Sequence, residues 1–310
     1  MSARIVQKWR GRRMRNFRMK LVGKTRQLQI RYQSRLVRFF RPLSTHIIHI
    51  DGGLGSQIMQ YSLYSWLKNE GKAVALDASY FRNQTIKPRV NWVDVRPWRL
   101  DRYGHSLEDQ RIKKGYRLRD KDFMHLYSES YSRILKDKQF LQYLFPLNLQ
   151  EFLKSLYTHG TTLDQVRDSV VIHIRQGDFV TAASLLLPED YYLDSLSIVL
   201  EKIGRTNTQI IIVSDQTLDS NRFPNLAALA EKNAQQYKVI IGGDEILIHN
   251  LMRSCKALIC SNSTFSFSAA MLKIEGVSVY PEKFYEGETA ELNVLFKLES
   301  GIEMSNSRFK

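Results

Sequence analysis

The chain has little of several features that would settle its class at once. Only two cysteines occur in 310 residues, Cys255 and Cys260, and no histidine lies near them at metal-ligand spacing. A structural zinc site needs four close ligands, so this pair predicts two buried, reduced thiols. No stretch approaches the ~20 apolar residues that a membrane-spanning helix needs, and the N-terminus lacks the apolar centre of a secretory signal. These features predict a cytoplasmic protein.

Acidic residues are missing from the first 45 positions, which hold 14 Lys or Arg. The rest of the chain carries 32 basic and 31 acidic residues, so residues 1–45 account for nearly all of the net charge of +15. A nucleic-acid-binding domain has a basic face on its folded part, and we therefore expect no nucleic-acid partner. Apolar residues at partly helical spacing in this basic arm favour peripheral binding to an anionic membrane, on the inner face of the cell membrane. A disordered, solvated tail is the alternative.

The rest of the chain alternates between strand patterns and helical patterns, and 43% of all residues are apolar, which is enough for a normal core. Helices are predicted at 54–72, 188–203, 245–254 and 264–272. Strands are predicted at 46–50, 73–76, 170–174, 209–213, 239–241, 257–260 and 277–280. Alternation of this kind indicates an α/β fold with parallel sheets covered on both faces.

Polar or glycine residues follow several of these strands directly. Ligands in α/β folds bind beyond the carboxyl ends of the strands, so such residues are expected to gather at one edge of a sheet. They are Gly52, Gly53, Arg175, Asp178, Asp215 and 262–264. Their repeated position at strand ends predicts a binding site more strongly than any single motif does.

The most informative motif is His173-Ile174-Arg175-Gln176-Gly177-Asp178, which follows a strand of buried type. His173 and Arg175 are two residues apart, so both should point to the same side if strand geometry persists. An arginine at this place can make bidentate, charge-assisted hydrogen bonds to a diphosphate. The alternative is a structural Arg–Asp pair at the end of the strand.

Other polar motifs allow two interpretations each. The segment 261–264, Ser-Asn-Ser-Thr, can cap the helix that follows or bind phosphate at its N-terminus. Asp215 can accept hydrogen bonds from a base or ribose, or cap a turn. Gly52-Gly53-Leu54-Gly55 is either a tight turn or a binding loop. Asp120-Lys121-Asp122 lacks a preceding apolar strand, so it predicts surface charge rather than a metal site, and no metal is expected.

Four of these segments, in this order, resemble the α-1,2-fucosyltransferases of glycosyltransferase family 11. HIIHIDGGLGSQIMQYSLYSWL resembles the family's GGLGNQxFQYA signature, and VVIHIRQGDFV its H-x-R-x-G-D motif. PEDYY and IIIVSDQ match its proline–tyrosine and S-D elements. DEILIHNLMRSCKALICSNSTFSFSAAML is similar to its C-terminal motif, which usually ends in NSTFSWWAA. The resemblance covers roughly residues 46–282.

The resemblance implies a GT-B-like fold, with two Rossmann-type domains facing each other across a cleft. It places an acceptor-side domain at 46–165 and a GDP-sugar-binding domain at 166–310, after the basic arm at 1–45 that the charge distribution defines. It implies inverting, metal-independent transfer of fucose from GDP-fucose, without a cofactor, to a galactose-containing glycan such as a bacterial surface polysaccharide precursor. Gly52–Gln57 would then face the cleft. The donor-binding residues would be His173, Arg175, Asp215, Asn262, Ser263, Thr264 and Ser266, with Arg175 also catalytic. Asp178 and Asp51 are candidates for a catalytic base by position alone, and a reaction without a base is the alternative.

Three departures from the family pattern leave alternatives open. Ser56 stands where Asn is usual, Ile58-Met59 replaces Met-Phe, and Phe267-Ser268 replaces Trp-Trp. The last change predicts less aromatic area beside the donor, which is compatible with a looser pocket or another GDP-sugar. An inactive glycan-binding or membrane-binding protein of the same fold is the second alternative.

Overall fold

The computed structural model describes residues 46–82, 96–107, 120–158, 160–177, 186–204, 208–232, 236–284, 293, 296–298 and 301–305. The basic arm and Asp178 lie outside the described residues. Within the described ranges, no helix is both long and apolar enough to cross a bilayer.

Eight strands and ten α-helices alternate along the described chain. The strands are β1 His46–His49, β2 Val74–Asp77, β3 Val170–Ile174, β4 Ile210–Ser214, β5 Tyr237–Ile241, β6 Ala257–Ile259, β7 Val277–Pro281 and β8 Ile302–Met304. The helices are α1 Leu54–Asn69, α2 Ser79–Arg82, α3 Asp120–Lys136, α4 Lys138–Leu144, α5 Leu149–Thr158, α6 Leu163–Arg167, α7 Glu189–Ile203, α8 Pro224–Lys232, α9 Glu245–Ser254 and α10 Thr264–Leu272. A short 3-10 helix spans Leu100–Tyr103.

The strands form two sheets, both entirely parallel. β1 and β2 make the small sheet, and the large sheet has the order β5-β4-β3-β6-β7-β8. The predicted α/β class with parallel sheets is confirmed. The large sheet has the strand order of a dinucleotide-binding fold: the chain moves outward from β3 to β5, returns to β6 beside β3, and then moves to β8 on the other side. The crevice between β3 and β6 is therefore the topological switch point, where such folds bind ligands.

Apolar periodicity in the sequence accounts for most of these elements. β3 and β4 are buried along their whole length, as expected for central strands of a covered parallel sheet. The predicted helix at 54–72 ends at Asn69, and Gly71 follows with a φ of 73°. A positive φ is the conformation that glycine adopts readily, so the chain can turn there. β8 was missed because its exposed and half-buried residues carry no apolar run.

A single buried cluster connects the two sheets. It includes Ile48 of β1 and Ile58 of α1 together with Met252 of α9 and Phe267 of α10. Apolar packing therefore extends from the small sheet to the large one. A second cluster lies on the opposite face of the large sheet, around Ile172 and Tyr192. The domain boundary at residue 165 stays a prediction.

The closest approach between the two sheets' helices lies where α1 and α10 begin. A Cβ atom built on Gly55 would overlap the carbonyl oxygen of Thr264 and the backbone nitrogen of Phe265. Only a residue without a side chain allows this backbone approach. The Ser56 hydroxyl lies 3.1 Å from that of Thr264. Because α1 follows β1 and α10 follows β6, this contact brings the carboxyl edges of both sheets toward the same place.

Gly55→Ser is expected to destabilise the fold by about 1–3 kcal/mol, since the added side chain would overpack the α1–α10 contact. The matched control is Gly53→Ser: position 53 has an ordinary φ of −79°, its added Cβ would contact nothing, and serine is a preferred helix N-cap. Urea unfolding of both variants measures the difference. Equal stability of the two would contradict the close approach.

Candidate active site

The candidate site lies at the switch point, where the loops after β3 and β6 are adjacent because those strands pair directly. His173 is on the same face of β3 as Val171, toward α9 and α10. Its Nδ1 lies 2.8 Å from the Ser261 hydroxyl, and its ring packs edge-on against Phe265 at 5.6 Å. The structure therefore joins the H-x-R-x-G-D motif to the NSTFS segment, as expected for two segments that follow strands of one parallel sheet.

Arg175 directly follows β3. Nη1 of Arg175 lies 2.8 Å from Oδ2 of Asp215, which follows β4. Oδ1 of Asp215 accepts from the backbone N–H groups of Gln176, at 2.9 Å, and Gly177, at 3.3 Å. An Arg–Asp pair at the strand end is thus present: it joins the loops after β3 and β4, and Arg175 itself follows β3, which borders the switch point. Asp215 uses both carboxylate oxygens to shape the loop that carries Arg175.

Two residues of the motif have structural tasks that sequence reasoning missed. A Cβ atom on Gly177 would overlap Oδ2 of Asp215, so glycine lets the loop pass this carboxylate without displacing it. Gln176 is buried, and its amide donates to the Ser214 hydroxyl and to the carbonyl oxygens of Gln216 and Thr217. A buried amide with three acceptors fixes the loops after β3 and β4 relative to each other.

The segment after β6 both caps α10 and presents polar groups. The Ser263 hydroxyl accepts from the Phe265 N–H, which is N-capping, and that of Thr264 meets Ser56. Asn262 is 6% exposed, and its Nδ2 has no hydrogen-bond partner in the described part of the chain. Ser266 is fully buried, with its hydroxyl bonded to the carbonyls of Ser261 and Ser263. The Ser266 side chain is too deeply buried to contact a nucleotide directly in this conformation.

Buried histidines lie on two sides of Phe265. Burial, followed by the nearby Arg175 charge, lowers the pKa of His173 to about 3. Burial likewise lowers the pKa of His249 far below its ordinary value, and its ring centroid is 5.5 Å from that of Phe265. Both imidazoles are therefore neutral at physiological pH, and His173 acts on the site through its hydrogen bond to Ser261.

The residues that replace the family's Trp-Trp pair lie in the core. Phe267 is fully buried, and its ring packs against those of Tyr280, Phe284 and Phe296. The Ser268 hydroxyl donates to the Phe265 carbonyl and lies 2.9 Å from Nε2 of His249. Neither side chain reaches the surface, and the loss of aromatic area beside the donor stays a prediction.

The glycine segment after β1 also differs from expectation at two positions. The resemblance implied that Gly52–Gln57 faces the cleft, but Gly55 packs against α10. Gln57 is fully buried, and its amide nitrogen donates to the carbonyls of Gly52 and Pro97. This side chain holds the glycine turn in place. Asp51 precedes the turn, at the carboxyl end of β1 and 36% exposed.

The remaining candidates for metal chemistry are not assembled into a site. Asp120–Asp122 lie within α3 rather than at the end of a strand. Cys255 and Cys260 are buried free thiols, as predicted, and burial raises the pKa of both. In the described ranges, no three His, Cys, Asp or Glu residues come together in a way that could hold a metal ion.

A Rossmann-ordered parallel sheet with an arginine and a helix N-terminus at its switch point is typical of nucleotide-binding enzymes. The chain belongs to glycosyl transferase family 11, whose model matches residues 60–299. It is therefore a glycosyltransferase by family, and the predicted family is confirmed. The match includes every candidate residue of the large sheet, while Asp51 precedes it.

The chain is also similar to several solved structures, among them two heptosyltransferases and a family 9 glycosyl transferase. The ADP-heptose lipopolysaccharide heptosyltransferase II of E. coli is 12% identical, with a TM-score of 0.43 over 84% of this chain and 90% of that one. The E. coli heptosyltransferase WaaC with ADP is 11% identical, with a TM-score of 0.40 over 84% and 93%. A family 9 glycosyl transferase of Veillonella parvula is 11% identical, with a TM-score of 0.37 over 85% and 86%. A search of the curated proteins gave no significant match.

The buried histidines predict how stability depends on pH. The folded pKa of His173 lies below the unfolded value of 6.5, so between pH 6.5 and 5 the unfolded chain binds a proton that the folded chain does not. The free energy of unfolding should therefore decrease as the pH is lowered through this range, by up to about 1.4 kcal/mol per pH unit for each such histidine. His173→Asn should reduce this slope in urea unfolding. An unchanged slope would contradict a neutral, buried His173.

Proposed function

We propose that the chain transfers L-fucose from GDP-fucose to a glycan hydroxyl, O-2 of a galactose, with inversion at the anomeric carbon and without a metal or cofactor. The observation that carries the proposal is the position of Arg175 and of the Asn262–Thr264 segment, which flank the switch point of a sheet with dinucleotide-binding order. Membership of family 11 and the four motifs supply the choice of donor.

The diphosphate of the donor would bind between Arg175 and the beginning of α10. Arg175 carries a permanent positive charge, and its pairing with Asp215 keeps the guanidinium at the strand end. The backbone N–H groups at the start of α10 add the partial positive charge of a helix N-terminus. Asn262 has a buried amide group that would donate to a phosphate, ribose or base oxygen. His173 and Ser266 would support this loop from beneath.

In the proposed reaction, the acceptor hydroxyl attacks the anomeric carbon of fucose as the bond to GDP breaks. Negative charge develops on the β-phosphate, where Arg175 and the α10 amides would stabilise it. The proton of the acceptor hydroxyl goes to a carboxylate. Asp51 and Asp178 are the candidates for this base, and of the two only Asp51 is among the described residues.

The glycan acceptor would reach the site from the side of the small sheet. A polysaccharide or lipopolysaccharide precursor at the inner face of the cell membrane suits a chain whose first 45 residues carry 14 basic and no acidic side chains. A basic segment gains roughly 1 kcal/mol per Lys or Arg near an anionic surface. Peripheral attachment through residues 1–45 would keep the enzyme close to such acceptors.

A donor panel tests the choice of nucleotide sugar. GDP-fucose at 100 times its dissociation constant should add ~2.7 kcal/mol to the free energy of unfolding, and GDP should also stabilise. GDP-mannose should stabilise less, and UDP-galactose should have no effect. Thermal unfolding with each compound provides the measurement. Stabilisation by GDP-mannose alone would favour another GDP-sugar, and binding of GDP-fucose without transfer or hydrolysis would favour the inactive alternative.

Replacing Arg175 tests the phosphate-binding role. Arg175→Ala and Arg175→Lys should each lower turnover at least about tenfold, because an ammonium group cannot reproduce the planar, two-point contact of a guanidinium. Initial rates of fucosyl transfer at saturating GDP-fucose give the comparison.

The control is Arg222→Lys. Arg222 lies in the loop after β4, at the same edge of the large sheet. Its Nε is 3.3 Å from Oδ2 of Asp219, but this pair is exposed. We expect this variant to retain wild-type turnover. Near-wild-type activity of Arg175→Lys would remove Arg175 from the donor site.

A further inference from the structure

A histidine lies between two carboxylates at the carboxyl edge of the small sheet. His49 ends β1 and Asp77 ends β2, and the two are register partners in the parallel pair. Nδ1 of His49 lies 3.3 Å from Oδ2 of Asp77, and Nε2 lies 3.4 Å from Oδ2 of Asp51. Each ring nitrogen of His49 therefore faces a carboxylate oxygen.

This arrangement requires the charged form of the imidazole. Carboxylates only accept hydrogen bonds, and a neutral imidazole has a single N–H to donate. Burial alone would lower the pKa of His49, but the contacts with Asp51 and Asp77 raise it to about 9. In the described part of the chain, the charged groups that face His49 are Asp77 of β2 and Asp51 in the turn after β1. Helix α1 contributes the neutral Gln60, which bonds to Asp51.

The same cluster fixes the orientation of Asp51. The Gln60 side chain accepts from the Asp51 N–H at 3.0 Å and donates to Oδ1 of Asp51 at 3.1 Å. Oδ2 of Asp51 faces His49. Of the three ionisable side chains, Asp51 is the most exposed, at 36%, against 21% for His49 and 22% for Asp77. Both carboxylate oxygens of Asp51, the most exposed of the three, are therefore held in place: Oδ1 by Gln60 and Oδ2 by His49.

The position of Asp51 suits contact with a substrate. It lies three residues before Leu54, where α1 begins, and the next residue of α1 touches the start of α10. The carboxyl edge of the small sheet and the donor-binding edge of the large sheet therefore approach the same region. Asp51 is the ionisable group of the small sheet that lies closest in sequence to this junction.

We propose that His49, held by Asp77, is a positioning residue that orients Asp51 as the base for the acceptor hydroxyl. The inference rests on the proposed function. The acceptor oxygen forms a bond to the anomeric carbon, the bond between that carbon and the phosphate oxygen breaks, and its electron pair leaves with GDP. The hydroxyl proton moves to Asp51. The imidazolium of His49 keeps the carboxylate in place and remains protonated throughout.

The test measures kcat, KM and their pH dependence for fucosyl transfer to lactose, with GDP-fucose as donor. Asp51→Asn should lower kcat at least about 100-fold, as expected for loss of a general base, while the thermal shift with GDP-fucose stays as in the wild type. His49→Gln should lower kcat about tenfold or more, with the KM for GDP-fucose changed less than about twofold.

The pH profile separates positioning from a structural role. Below its pKa His49 holds Asp51 in place, so wild-type kcat should decline as the pH rises through about 9. Asp77→Asn removes one of the carboxylates that raise this pKa, so the decline should begin at lower pH. His49→Gln should lose the decline altogether. These shifts are measured on folded variants, checked by circular dichroism.

His105→Gln is the matched control, because His105 bonds to the carbonyl of Leu144 at 2.8 Å and has no place in the proposed site. It should retain the wild-type kcat and alkaline decline. The inference would be overturned if His49→Gln kept wild-type kcat, or if Asp77→Asn left the alkaline decline in place. Absence of fucosyl transfer by the wild-type chain would instead overturn the proposed function, and this inference with it.

Discussion

The close contact between the first turns of α1 and α10 is the constraint on which the arrangement of the site depends. Each of these helices begins where a strand ends, so placing their N-termini together places two strand ends together. Gly55 makes this possible, because any side chain there would overlap the backbone at Thr264 and Phe265. A glycine motif that suggests a phosphate-binding loop serves here as a joint between two sheets.

Asp215 has a comparable role within the large sheet. Its carboxylate binds Arg175 and two successive backbone N–H groups, so one side chain sets both the course of the loop and the position of the guanidinium. An ion pair at a strand end would ordinarily suggest stability alone. Here the pair lies at the end of β3, which borders the switch point, and an oriented positive charge there would favour binding of an anion. The structural and functional interpretations of the pair therefore describe the same geometry.

The sequence was sufficient to predict the α/β class, seven of the eight strands and the strand ends that carry the site, because long apolar runs and glycine turns report on burial and chain reversal. It did not predict β8, an edge strand of three residues, Ile-Glu-Met, that is too short for its alternation to be distinctive. It also could not show that Gln57 and Gln176 are buried amides, since their partners are backbone groups distant in sequence. Nor could it show that Phe267 and Ser268 are both buried, because the direction in which a helical residue points depends on the packing of the whole helix. The role of His49 required the register of β1 with β2.

The helix joint has a consequence for exchanging parts between members of this family. Ser56 and Thr264 share a contact across the joint, and related enzymes usually carry Asn at the first of these positions. A hybrid that combined the acceptor-side half of one member with the donor-side half of another would bring together two surfaces shaped for different neighbours. Recombination points should therefore be chosen so that the first turn of α1 and the first turn of α10 come from the same parent.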